Sequence, residues 1–161
     1  MRAEALILAL LGFSSCGPPN RLSGSLSDLF PLQVTRAEIE KNSDGFQVSY
    51  TQNQPYTVDL VIRLSVALSQ ITFKKGKSID LSGEYLPGHR RATFTHAAAG
   101  EPQETLADVK HGELDLDEEN GVGANVSGSF HVSFETSDRI GSGRDLTGHF
   151  SSIELDGGYG D

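Results

Sequence analysis

Behind an apolar start, the hydrophobic positions of this chain recur at every second residue. The clearest run covers residues 57–69, where Val58, Leu60, Ile62, Leu64, Val66 and Leu68 alternate with Asp59, Val61, Arg63, Ser65, Ala67 and Ser69. Successive side chains of a strand point to opposite faces, so this pattern predicts a half-buried β-strand. Residues 32–41 and 45–51 flank Asn42-Ser43-Asp44-Gly45, and Phe46, Val48 and Tyr50 share one face of the second run. A turn between two alternating runs predicts a hairpin. Residues 71–73 and 79–81 flank Lys74-Lys75-Gly76-Lys77 in the same manner. Further runs lie at 91–97, 109–117, 125–135 and 146–155. No strong amphipathic helix pattern follows residue 16, and only 101–109 suits a helical turn or two. About eight strands at short intervals predict an all-β domain, a single antiparallel β-sandwich or small barrel. Several runs fall short of the roughly 9–11 residues that a membrane-spanning strand needs, which excludes a membrane barrel.

A small polar residue followed by glycine recurs just before apolar strand positions. The copies are Ser23-Gly24-Ser25-Leu26, Ser82-Gly83-Glu84-Tyr85, Ser127-Gly128-Ser129-Phe130 and Thr147-Gly148-His149-Phe150, with His111-Gly112-Glu113-Leu114 a looser one. Their spacing is irregular, so this is no fixed-period repeat. Glycine inside a strand marks a bulge or a close approach, and bends in strongly curved strands are expected here.

The first sixteen residues read MRAEALILALLGFSSC. Arg2 gives a short positive start, and the apolar run from Ala5 has the length of a signal-peptide core. That run is too short for a spanning helix, which needs about 20 residues. Ser14 and Ser15 precede Cys16, and Gly17-Pro18-Pro19-Asn20 follows at once. This resembles the lipobox of bacterial lipoproteins, with Phe13 where that family usually carries Leu. The resemblance covers these sixteen or so residues alone. It implies a signal peptide over 1–15 and a mature N-terminus at Cys16 carrying a diacylglyceryl thioether and an N-acyl group. More than one chain is enough for stable anchoring. In that family an acidic residue after the Cys commonly retains the protein in the inner membrane. Gly17 therefore implies the outer membrane where there is one, on its periplasmic face or at the cell surface. An ordinary cleaved signal, with Cys16 incidental, is the competing reading. Residues 16–25 are rich in Pro, Gly and Ser and read as the lipidated Cys with a flexible tether. The β-rich domain then spans 26–155, and 156–161 reads as a flexible tail.

Composition narrows the classes. The chain has 161 residues, 37% of them hydrophobic and 22% charged, which suits one ordinary domain with a core. A single Cys excludes an intramolecular disulfide and every Cys-cluster metal site. A net charge of −9 argues against nucleic acid, whose phosphates call for a basic footprint. The charge is unevenly spread. Residues 17–96 carry nine Lys and Arg against seven Asp and Glu, whereas 97–161 carry three against fourteen.

The acids gather in Glu113-Leu114-Asp115-Leu116-Asp117-Glu118-Glu119, where Glu113, Asp115, Asp117 and Glu119 share one strand face. The expected role is a solvated face ending in a bend at Asn120-Gly121. The alternative is a cation site, since clustered carboxylates are hard-oxygen ligands for Ca²⁺. An EF-hand loop beginning at Asp115 would need Gly at its sixth position and Glu at its twelfth, where Asn120 and Val126 stand. The basic group His89-Arg90-Arg91 is a candidate for binding an anion such as a phosphate, a carboxylate or a lipid headgroup. Pairing with the acidic second half of the same chain is the preferred reading.

The five His lie apart, with no spacing that assembles a metal site. No G-x-S-x-G elbow exists for a hydrolase. Without Trp and with four Tyr, the chain offers little to stack on sugars. The expected protein is therefore a membrane-anchored lipoprotein and not an enzyme. Its β-domain does structural or binding work in the cell envelope, with an envelope protein or ligand as partner and no cofactor beyond the lipid at Cys16. Two alternatives stand beside it. One is a lipocalin-like barrel holding an apolar ligand, although Val58, Leu60, Ile62, Leu64 and Val66 look large enough to fill a lumen. The other is a Ca²⁺-binding protein or metal-dependent envelope enzyme resting on Glu84, His89 and His96 or on Asp115 and Asp117.

Overall fold

The computed structural model describes residues 19–55, 57–71, 76–98, 100–117, 123 and 125–156. Cys16, Gly17, Lys74, Lys75, Glu118, Glu119 and the tail 157–161 lie outside these residues. The fold is all-β. Its strands are β1 (Arg21–Ser23), β2 (Arg36–Lys41), β3 (Gly45–Asn53), β4 (Val58–Ala67), β5 (Ile79–Asp80), β6 (Glu84–Leu86), β7 (His89–Arg90), β8 (Ala92–His96), β9 (Glu104–Thr105), β10 (Val109–Leu116), β11 (Asn125–Phe134) and β12 (Asp145–Asp156). One 3-10 turn covers Ser25–Asp28.

The strands run in the order β5-β10-β11-β12-β2-β3-β4-β8-β9, with β1 added to β12 and β6-β7 a separate hairpin. Two sheets pack face to face as a β-sandwich, and β12 belongs to both. Residues 145–153 of β12 pair with β11, and Glu154, Leu155 and Asp156 then pair with Ile39, Glu40 and Lys41 of β2. The opposite corner is turned in the same way by residues 104–116. Glu104 and Thr105 pair with β8, and the Leu106 N–H donates to the Phe94 carbonyl at 2.8 Å. The Glu135 N–H then donates to the Asp108 carbonyl at 2.8 Å, and β10 runs on beside β11. Seven passages of chain thus close a ring: β2, β3, β4, β8, β9–β10, β11 and β12. Direction reverses at every step between antiparallel neighbours, so an odd ring closes only through a parallel pair. The β12–β2 seam is that parallel pair.

Local chemistry explains the elements that were legible in advance. The Asn42 side-chain oxygen accepts from the N–H groups of Asp44 and Gly45, both at 2.8 Å, and fastens the β2–β3 turn. On β4, Ile62, Leu64 and Val66 are buried as the alternation requires. Val58 is 67% exposed, because the strand begins beyond the core. Rings from both sheets fill the centre. Phe94 lies 5.5 Å from Phe130 and 5.4 Å from Phe134, Tyr50 lies 6.2 Å from Phe130, and Phe46 lies 5.9 Å from Phe150.

Three expectations need correction. The segment read as a tether is partly folded: Arg21–Ser23 pairs with β12, and Asn20 accepts from the Ser151 N–H at 2.8 Å. Residues 101–109 form no helix, because Glu104–Leu106 is drawn into the edge of β8. Asp156, placed in the tail, belongs to β12. Ile79–Asp80 pairs with β10, and the turn expected between 71–73 and 79–81 falls partly on 72–75, outside the described residues. The glycine echo also divides. Gly112, Gly128 and Gly148 lie within strands, whereas Gly24 and Gly83 sit outside them with φ of +136° and +76°.

Candidate functional site

The register of β5, β10, β11, β12 and β1 assembles a polar outer face from residues far apart in sequence. Glu113 stands between Asp80 and His131, His131 opposite Thr147, and Thr147 opposite Ser23. In the next row Asp115 faces Ser129, Ser129 faces His149, and His149 faces Arg21. Glu113, Asp115 and Asp117 are exposed along β10, while Leu114 and Leu116 are buried behind them. This is the face that alternation predicted, and Glu119 lies outside the described residues. What alternation could not supply is the neighbouring column of hydroxyls and imidazoles on β11 and β12, which only strand pairing brings alongside.

Hydrogen bonds order this face. The Ser78 hydroxyl donates to Asp115, and His131 Nδ1 lies 2.8 Å from the Thr147 hydroxyl. Asp80 accepts from the Ser82 hydroxyl at 2.6 Å and the Ser82 N–H at 2.8 Å. Those bonds hold its carboxyl below the usual carboxylate range, helped by the charges of His111 and Arg91. Partial burial lowers the His149 imidazole, with Arg21 adding to the shift and Asp117 opposing it. A Ca²⁺ ion takes 6–8 oxygens converging at about 2.3–2.6 Å, whereas carboxylates two residues apart on a strand start roughly 7 Å apart. Among the described residues no three His, Cys, Asp or Glu side chains are grouped to hold a metal ion.

The basic residues His89, Arg90 and Arg91 do not converge on one point. Arg90 Nη2 lies 2.6 Å from Asp108, an ion pair that joins the basic first half to the acidic second half. Arg91 Nη1 donates to the carbonyls of Ala67 and Ser69 at 2.9 and 2.8 Å. Its guanidinium also lies 5.3 Å from the Tyr85 ring centre. The His89 ring sits 5.9 Å from the other side-chain ring of the hairpin, Tyr85. A groove of about 380 Å³ opens beside this hairpin, lined among others by Lys77, Asp80, Glu84 and Arg91. Its walls come from separated segments, so no local pattern announces it.

No protein family matches this chain, and neither a curated protein nor a solved structure matches it. Among the described residues, no helix is long and apolar enough to cross a membrane.

Proposed function

We propose that this protein is a bacterial lipoprotein anchored through Cys16, whose non-catalytic β-domain offers its polar outer face to a partner or ligand of the cell envelope. The observation that carries the reading is the lipobox-like sequence through Cys16, followed so soon by β1. Only Gly17-Pro18-Pro19-Asn20 separates the Cys from Arg21, the first residue of β1. The five steps from Cys16 to Arg21 reach no more than about 18 Å, so the anchor would hold the domain close to the bilayer surface. Rings occupy the middle of the sandwich, which supports binding on the outside over binding in a lumen. The carboxylates and imidazoles lie along an open face, which supports recognition over catalysis.

The test is metabolic labelling with a palmitate analogue in cells that make the full chain or its Cys16→Ala variant. The full chain should take up label and sediment with membranes, and the variant should do neither. A full chain that is unlabelled and released, or a variant that stays membrane-bound, would overturn the reading.

A further inference from the structure

We propose that the stack of Phe30 on His96 is a plugged binding site for an uncharged planar aromatic molecule of one or two rings, with Phe30 occupying the ligand's place. The two rings lie 3.9 Å apart at an interplanar angle of 11°. They are held very differently. His96 ends β8, and its Nδ1 lies 2.7 Å from the Val61 carbonyl of β4. A carbonyl only accepts, so Nδ1 carries a proton and this bond fixes the plane of the imidazole. Phe30 instead follows the 3-10 turn, on a stretch that belongs to no strand until Arg36. Its N–H reaches the Leu26 carbonyl at 3.3 Å. Phe30 is only partly buried where it packs against the core, so of the two rings it is the less constrained.

Two grooves, of about 110 and 220 Å³, flank the stack, and both are lined by Phe30 and His96. Leu106, Ala107 and Ile140 line the first beside Glu104 and Arg139, and Val61 and Ala97 line the second beside Gln52, Gln54 and Asp59. The stacked pair is therefore the partition between them, and Phe30 is its less constrained half. With the Phe30 ring withdrawn, the grooves would join into one mostly apolar cleft with a polar rim, in the size range of small-molecule sites, roughly 300–1,000 Å³. One wall of that cleft is the flat face of His96, which already accepts a parallel aromatic ring. Occupancy by Phe30 lowers the apparent affinity by the fraction of molecules in which the ring is withdrawn. Removing the plug must then tighten binding, a sign opposite to that of losing an ordinary contact residue.

The experiment titrates prodan, an uncharged planar naphthalene dye, into the full chain carrying Cys16→Ala, so that no acyl chain competes for it. Phe30→Ala should bind prodan at least tenfold more tightly than the parent, and adding His96→Ala should abolish that gain. A Phe30→Ala variant that binds no better, or a double variant that keeps the gain, would overturn the proposal. Thermal melting reports whether Phe30→Ala folds. If it does not, Phe30→Leu replaces it, with a smaller gain expected and no gain overturning the proposal.

Discussion

Phe150 on β12 stands directly opposite Gly128 on β11, and its ring lies over the space a Cβ at Gly128 would fill. Two residues along the same strand pair the relation is reversed, with Phe130 opposite and over Gly148. Each ring then continues into the opposite sheet, Phe150 to Phe46 and Phe130 to Tyr50 and Phe94. The two bare glycines let the rings lie against their own sheet and still meet the other one. This reciprocal pair is what the Ser-Gly-Ser-Phe and Thr-Gly-His-Phe echo encodes.

Alanine at either glycine should therefore destabilise the fold through overpacking, by about 1–3 kcal/mol. Gly128→Ala should be the more damaging. Its Cβ would meet the Asp115 backbone carbonyl as well as the Phe150 ring, and a backbone atom cannot turn aside. Urea denaturation would show a lower midpoint at an unchanged slope. If both variants melted like the parent, the rings would have room to move that the packing denies them.

The parts of the fold legible in advance were those whose information is local. Alternation marked the buried side of β4, and Asn42 with Gly45 marked a turn. β1 escaped notice because Arg21-Leu22-Ser23 has no pattern of its own and becomes a strand only by pairing with β12. The parallel seam of Glu154–Asp156 with Ile39–Lys41 is likewise a property of the closed ring, not of either segment. The same divide runs through the candidate site. Outward-facing Glu113, Asp115 and Asp117 follow from the pleat, whereas His131 beside Glu113 needs the register. Phe30 against His96 joins a connecting segment without periodicity to the end of the 91–97 run, and no local pattern announces the contact.

Tyr50 is fully buried, and its hydroxyl has no hydrogen-bond partner among the described residues. An unpaired buried hydroxyl costs about 1–3 kcal/mol, so Tyr50→Phe should raise stability, by about 1 kcal/mol. Burial also pushes the phenol far above its ordinary value. The folded state therefore keeps the proton that the unfolded chain releases above about pH 10, and stability falls as pH rises past that point. Tyr50→Phe should remove that part of the alkaline loss. Melts between pH 8 and 11 would check both effects, and a less stable variant would mean that the hydroxyl has found a partner.

Arg90 and Arg91 are adjacent but should respond unequally to alanine. The Arg90–Asp108 pair is 44% and 45% exposed, and exposed pairs contribute roughly 0–1 kcal/mol. Arg91 covers two carbonyls and the Tyr85 ring, so its loss should cost more, about 1–2 kcal/mol. Arg91→Lys should recover little, because an ammonium lacks the planar group that spans this arrangement. The comparison is a set of urea midpoints, and an Arg90→Ala variant weaker than Arg91→Ala would refute the assignment.

Ser25 and Asp145 clasp the start of the domain to β12 in both directions. The Ser25 hydroxyl donates to Asp145 Oδ1 at 2.6 Å, and the Asp145 N–H donates to the Ser25 hydroxyl oxygen at 2.9 Å. The Ser25 hydroxyl, supported by its own N–H and by the charge of His131, holds the Asp145 carboxyl below the usual range. A lowered carboxyl contributes its stabilisation fully above the unfolded value of about 3.9, and loses it as pH falls through the folded value. Ser25→Ala should thus cost about 1 kcal/mol at pH 7. The gap from the parent should narrow as pH drops below about 4 and close once the pH passes the lower value at which Asp145 protonates in the folded parent. Urea midpoints at pH 7, 4 and 3 measure that convergence. A gap that stayed constant to the lowest pH would separate the clasp from the ionisation of Asp145, leaving Ser25 a packing role alone.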